Sequence, residues 1–241
     1  MARSVEEALL AAAGTPLRLS PEHRVIIGLV GEGSRVLDLG CGEGDLLRAL
    51  QVVKGVRAEG IELSEPCIRA CVAKGLLNVH QGDLDQGLAD YPDQSVDYVI
   101  LTNTMQALRQ PAFLLGEMAR VGRRCIVGFP NFAHWQLRWQ LAVRGRMPVT
   151  ARLPYAWHES PNIHLTTLAD FRDLCRSSRL RILEELPCAR WAIAAGGCAS
   201  SPTCGPTRRC SCWSGTCGDC LPPGRACFED ELSPLGCPAS G

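Results

Sequence analysis

From Arg35 to Phe129 the chain switches repeatedly between two apolar rhythms. Arg35 to Leu39 predicts a strand, with Val36, Leu37 and Leu39 an apolar run interrupted only by Asp38, the pattern of a buried strand. Asp45 to Val53 then places Leu46, Leu47 and Leu50 at helical spacing. The exchange recurs: Val56 to Leu63 predicts a strand carrying Glu62 near its end, Glu65 to Lys74 a helix stopped by Gly75, and Asn78 to Gly82 a short strand followed by Asp83. Ser95 to Thr102 is a fourth strand, Pro111 to Val121 a helix, and Arg123 to Phe129 a fifth strand. Before them, Ser20 and Pro21 open a helix with Val25, Ile26, Leu29 and Val30 on one stripe. Strands alternating with helices predict an α/β fold whose mainly parallel sheet is covered on both faces.

After the fifth strand the rhythm loosens. Phe132 to Val143 reads as an aromatic-rich helix, Arg144 to Asn162 as a loop with three prolines, and Thr167 to Ser177 as a helix. Thr167 and Asp170 have the spacing of a capping box. Leu180 to Leu186 can supply a sixth strand. Beyond it no alternating β-branched run follows, so the antiparallel pair that would close such a sheet is expected to be incomplete.

Composition sharpens the division. Of the 14 cysteines in 241 residues, five lie before residue 188 and nine from 188 onward, beside eight Gly, six Pro and six Ser. Such a segment holds too few large apolar side chains to offset its ordering entropy. The organisation expected is a lead-in over 1–20, one domain over 21–187, and a Cys/Gly/Pro-rich tail over 188–241 that is disordered or the product of a shifted reading frame. Cys210, Cys212, Cys217 and Cys220 have spacings that suit zinc. Paired cysteines also arise by chance in so cysteine-rich a stretch, and no metal site is expected. Lys plus Arg equals Asp plus Glu at 25 each, so no global field recruits nucleic acid or an anionic membrane. No apolar run approaches the roughly 20 residues that span a bilayer. Glu6 and Glu7 stand where a signal peptide wants positive charge, which predicts a cytoplasmic protein.

The candidate chemistry lies where strands end. Gly40, Gly42 and Gly44 follow the first strand and lead into a helix, a turn without Cβ atoms that can approach a ligand closely. The GxGxG spacing, with Asp38 two residues ahead, resembles motif I of class I S-adenosylmethionine-dependent methyltransferases. Glu62, 22 residues beyond Gly40, can accept both hydroxyls of a ribose. Asp83 is placed for the adenine end, with Leu84 adding backbone and apolar contact, and Asn103 for the methionine portion. With Cys41 and Leu63 from the same turns, these form the candidate S-adenosyl-L-methionine site. A dinucleotide is the competing cofactor, disfavoured by the glycine spacing. No catalytic residue stands out. His134, His158, Glu159 and His164 are the candidate bases, in a region where Phe132, Trp135, Trp139, Tyr155 and Trp157 gather. That region reads as a lid, a substrate pocket or an interface patch.

The segments PEHRVII, RVLDLGCGEG, QGDLDQGLADYPDQSVDYVI, VGFPNFAHW, GRMPVT and SPNIHLTT, spread from Pro21 to Arg179, together closely resemble MetW, the bacterial methionine biosynthesis protein family. The resemblance implies a Rossmann-like class I methyltransferase sandwich, an S-adenosyl-L-methionine site, and action beside MetX, the homoserine O-acyltransferase. The alternative it leaves open is an active methyltransferase on an unidentified small-molecule acceptor.

Overall fold

The computed structural model describes residues 17–150, 155–188 and 191–198. Helix α1 (Pro21–Leu29) starts where the Ser20 side chain accepts the His23 N–H at 3.3 Å, with Pro21 in its first turn. There follow β1 (Arg35–Leu39), α2 (Asp45–Lys54), β2 (Arg57–Glu62), α3 (Glu65–Ala73), β3 (Val79–Gln81), β4 (Val96–Thr102), α4 (Pro111–Val121) and β5 (Gly122–Pro130). Then come α5 (Trp135–Arg144), α6 (Leu168–Ser177), β6 (Leu180–Cys188) and β7 (Trp191–Cys198). Short 3-10 turns at Leu84–Gln86 and Met105–Ala107 follow β3 and β4.

The strands form one seven-stranded sheet in the order β3-β2-β1-β4-β5-β7-β6. The first five are mutually parallel, and β7 runs antiparallel between β5 and β6. This is the mainly parallel α/β sheet that the alternating pattern implied, in a strand order that agrees with the Rossmann-like sandwich expected from the resemblance. The incomplete C-terminal pair is corrected: Trp191–Cys198 is a full strand, with Gly128 opposite Ile193 on one side and Leu186 opposite Ile193 on the other. Its sequence, WAIAAGGC, is mostly Ala and Gly, so intrinsic β preference gives no sign of it. Backbone pairing on both edges supplies what propensity lacks. This strand lies in the stretch that composition had assigned to the tail, whereas the four cysteines at 210–220 lie outside the described residues.

Period-two alternation sorts the strand side chains into two cores. Leu37, Leu39, Val99, Leu101, Val127 and Phe129 face one side, where Leu114, Leu115 and Met118 of α4 and Phe171 of α6 cover them. Val36, Ala58, Tyr98, Ile100 and Ile126 face the other, against Ile26 and Ile27 of α1, Leu46, Leu47 and Leu50 of α2, and Cys71 of α3. Asp38, next to Val36 along β1, is a carboxyl inside a strand that is otherwise apolar beyond Arg35. The capping box of α6 is complete: Thr167 Oγ1 accepts the Asp170 N–H at 3.2 Å, and Asp170 accepts the Thr167 N–H at 3.3 Å.

Candidate functional site

Parallel strands carry their carboxyl ends to one edge of the sheet, where open α/β sheets bind ligands. The register makes this concrete. Asp38 lies opposite Gly60 on β2 and Ile100 on β4, and Leu39 lies opposite Ile61 and Leu101. The glycine turn, Glu62 and Asn103 therefore leave adjacent strands side by side. The Gly82 N–H reaches the Glu62 carbonyl at 3.1 Å and brings the β3 end, with Asp83, alongside.

The turn after β1 is folded by its glycines. Gly40, Gly42 and Gly44 have φ of 72°, 56° and 77°, a left-handed conformation that side chains with a Cβ resist. A Cβ on Gly40 would stand 2.4 Å from Thr104 Oγ1, and one on Gly44 2.4 Å from Leu76 Cδ1. A Cβ on Gly42 would meet nothing within 4 Å. The outer two glycines are thus pinned by packing, while the middle one borders open space. The N–H of Gly40 donates to the Ile61 carbonyl at 2.8 Å, tying the turn to β2. At the start of α2, Gly44 provides no side-chain cap. Lys74, at the end of α3, donates to the Glu43 carbonyl at 2.8 Å and to Asp45 at 2.9 Å, bracing the turn from behind.

Glu62 is held by backbone. One carboxylate oxygen accepts the Gly42 N–H at 2.8 Å and the other accepts the Ser64 N–H at 2.9 Å. Each oxygen keeps a free lone pair, so the carboxylate can still accept two further donors. Asp38 is the opposite case. It is 3% exposed, and its carboxyl makes no hydrogen bond to another described residue. Burial, with the nearby Glu62 charge adding to it, pushes its pKa up to about 7. A buried acid left without a protein donor costs free energy unless a ligand donor or cation meets it.

The other sequence candidates flank this centre. Leu63 is 64% exposed, an apolar side chain directly after Glu62. Asp83 caps the Leu84–Gln86 turn by accepting the Asp85 N–H at 3.0 Å, and Leu84 is buried beneath it. Asn103 has φ 60° and donates its N–H to the Gly128 carbonyl at 3.0 Å, which joins the β4 and β5 ends. Cys41 lies half-buried inside the glycine turn, its sulfur close enough to leave a Cβ on Gly60 only 2.8 Å away.

The four candidate bases do not converge. His134 caps α5, its Nδ1 accepting the Gln136 N–H at 3.4 Å. His158 and Glu159 face each other at 3.9 Å on the surface. Of the four, His164 alone is tied by the described contacts to the strand ends, through its N–H to the Gln106 carbonyl at 3.0 Å. Three neighbours escaped the sequence reading. Thr104 packs on Gly40, and Thr102 Oγ1 and Gln106 Oε1 are buried without a hydrogen-bond partner. They stand at the end of β4 and in a 3-10 turn, where no periodic pattern marks them. Among the described residues there is no metal-ligand cluster, and no helix is long and apolar enough to cross a membrane.

Residues 20–198 match the protein family described as methionine biosynthesis protein MetW. A curated relative, the bifunctional methionine biosynthesis protein MetXA/MetW of Rhodopirellula baltica, is 37% identical over 184 residues, or 73% of this chain. The chain spans only 29% of that relative's length. Among solved structures, a SAM-dependent methyltransferase from Aquifex aeolicus aligns over 79% of this chain and 97% of its own, with a TM-score of 0.53 and 17% identity. A TehB-like SAM-dependent methyltransferase from Corynebacterium glutamicum aligns over 81% and 95%, with a TM-score of 0.52 and 19% identity. Likeness at those identities establishes the fold.

Proposed function

We propose a function from one established point: the chain belongs to the MetW family of methionine biosynthesis proteins. Our reading is that it binds S-adenosyl-L-methionine at the glycine turn and acts with the homoserine O-acyltransferase, MetX. The observation that carries the cofactor reading is the pairing of a buried, unpartnered carboxyl at Asp38 with open space beside Gly42. A ligand bearing an ammonium group would relieve the first and fill the second. Glu62 would hold the ribose hydroxyls on its two remaining lone pairs, with Leu63 against the adenine face. Asp83 and Leu84 would border the adenine edge, and Asn103 the methionine portion. When bound, this cofactor supplies an electrophilic methyl group. The protein's residues supply alignment and exclusion of water.

The partnership draws on the fused relative, in which a MetXA unit and a MetW unit share one polypeptide. Covalent linkage raises the local concentration of two units for each other. The surface that suits such a partner is α5. Only Leu137 of that helix is buried, whereas Trp135, Trp139 and Val143 are 67%, 62% and 62% exposed at a spacing of four. Arg138 and Arg144 lie on the same helix, a Trp and Arg composition typical of interface centres. S-adenosyl-L-methionine binding could then report methionine supply to the acyltransferase, provided the cofactor has different affinity for the complex and the free protein. Titrating the cofactor into the purified pair while following acyl transfer tests this. Activity that changes saturably supports it, and activity unchanged at saturation removes it.

A second reading is methyl transfer to a small acceptor. The unpartnered Thr102 Oγ1 and Gln106 Oε1 favour it, because they offer hydrogen bonds beside Asn103. Release of S-adenosylhomocysteine in the presence of cell extract would support this reading. Its absence leaves the accessory role as the better account.

A further inference from the structure

Two cysteines at the glycine turn do more than fill space. Cys41 sits within the turn and is half-buried; Cys71 reaches the same point from α3 and is fully buried. The Cys71 thiol donates to the Gly42 carbonyl at 3.2 Å, and the Cys41 sulfur lies 4.0 Å from the same oxygen. The two sulfurs thus converge on one carbonyl oxygen, near enough for each to act on the other's charge. Each sulfur occupies room left by a glycine: a Cβ on Gly60 would stand 2.8 Å from Cys41 Sγ, and one on Gly44 2.8 Å from Cys71 Sγ. The interaction with Cys41, helped by the Lys74 ammonium, holds the Cys71 thiol below its usual pKa against burial, and the same neighbour together with burial pushes Cys41 up. Cys71 thus loses its proton more readily than Cys41, which suits it to the second of two attacks. A packing cysteine is inert because it has neither a sulfur neighbour nor a path to solvent. This pair has both.

We propose that Cys41 and Cys71 are a modification site, forming a reversible disulfide that reshapes the glycine turn and closes the site to an adenosyl ligand. The co-reactant is a hydroperoxide. Cys41, the less buried of the two, gives its proton to solvent and attacks one peroxide oxygen; the O–O bond breaks, and the expelled hydroxide takes up a proton and leaves as one water, with Cys41 now a sulfenic acid. Cys71 then loses its proton to solvent and displaces hydroxide from the Cys41 sulfur, and the hydroxide leaves as a second water. In sum, two thiols and one hydrogen peroxide give one disulfide and two waters. A bond of about 2.05 Å must replace a non-bonded contact, so the turn is drawn toward α3. The same step deletes the S–H donor to the Gly42 carbonyl, on the residue whose N–H holds Glu62 at 2.8 Å. The bond itself is independent of the proposed cofactor; only its effect on binding rests on that reading.

The experiment uses the full chain, exposed to hydrogen peroxide, alkylated and mapped by mass spectrometry. Calorimetry with S-adenosyl-L-methionine is run before oxidation, after it, and after dithiothreitol. The expected result is a cross-linked Cys41–Cys71 peptide that dithiothreitol removes, with affinity falling about tenfold or more and then returning. Cys71→Ser, whose hydroxyl can keep the bond to Gly42, should bind the cofactor whether oxidised or not. Cys67→Ser should cross-link as the parent does. Separately alkylated Cys41 and Cys71, under conditions that oxidise Cys67, would overturn the proposal. So would a cross-link without loss of affinity. Failure of the reduced protein to bind the cofactor would instead overturn the cofactor reading and the closure built on it, while the peptide map still decides whether the bond forms.

Discussion

Replacing Asp38 by Asn separates what this carboxyl costs the fold from what it contributes to a ligand. In the folded protein its pKa stands at about 7 against an ordinary 3.8, because burial, and secondarily Glu62, opposes its charge. The folded state therefore holds a proton that the unfolded state releases between those two values, and stability falls as pH rises from about 4 to 7 and then levels. At about 1.4 kcal/mol per unit, the full penalty above pH 7 is on the order of 4 kcal/mol, and at pH 5.5 it is on the order of 2 kcal/mol. Asp38→Asn is nearly isosteric and cannot ionise. Urea unfolding of both proteins at pH 5.5 and pH 8 should show the advantage of the variant growing by about 2 kcal/mol across that range. Other titrating groups are common to both proteins and cancel in the difference. The same variant should lose most affinity for S-adenosyl-L-methionine, since an amide cannot answer an ammonium with charge. A difference in stability that is flat with pH, or a variant less stable at pH 8 than the parent, would refute the reasoning.

Four further outcomes follow from the same structure. Gly42→Ala should cost roughly 1–2 kcal/mol for its left-handed backbone and weaken cofactor binding. Gly40→Ala should unfold at lower urea still, because its Cβ would lie 2.4 Å from Thr104 Oγ1. Phe129→Ala, which removes a fully buried ring packed 4.9 Å from Phe171, should lower stability by about 3–5 kcal/mol in the same assay. Replacing the exposed Trp135 and Trp139 together by Ser should leave stability within about 0.5 kcal/mol per site, yet weaken acyltransferase association by about 2 kcal/mol or more in a binding titration.

The sequence was most legible where strands and glycines repeat. β1 and α4 begin and end where periodicity puts them, and the turn after β1 needs left-handed backbone at each of its three glycines. The strand-end rule was enough to bring Asp38, Glu62, Asp83 and Asn103 to one edge, because register in a parallel sheet follows from the pleat. β7 was illegible for a physical reason: an Ala- and Gly-rich strand held between two others owes its form to its neighbours. Thr104 and Gln106 were hidden likewise, since a residue in a 3-10 turn matters through what it touches across the sheet. The aromatic segment divided in a way that spacing could not foresee. Phe129 entered the core with Phe171, while Trp135 and Trp139 remained outside.

The account stands on the cofactor site proposed at Gly42, Glu62 and Asp38, and calorimetric titration of S-adenosyl-L-methionine into the folded full chain and into its Glu62→Ala variant examines it directly. Saturable one-to-one binding to the parent, strongly weakened in the variant while both show the same circular dichroism, is the result expected. No heat with the folded parent, or equal affinity in the two proteins, would contradict it.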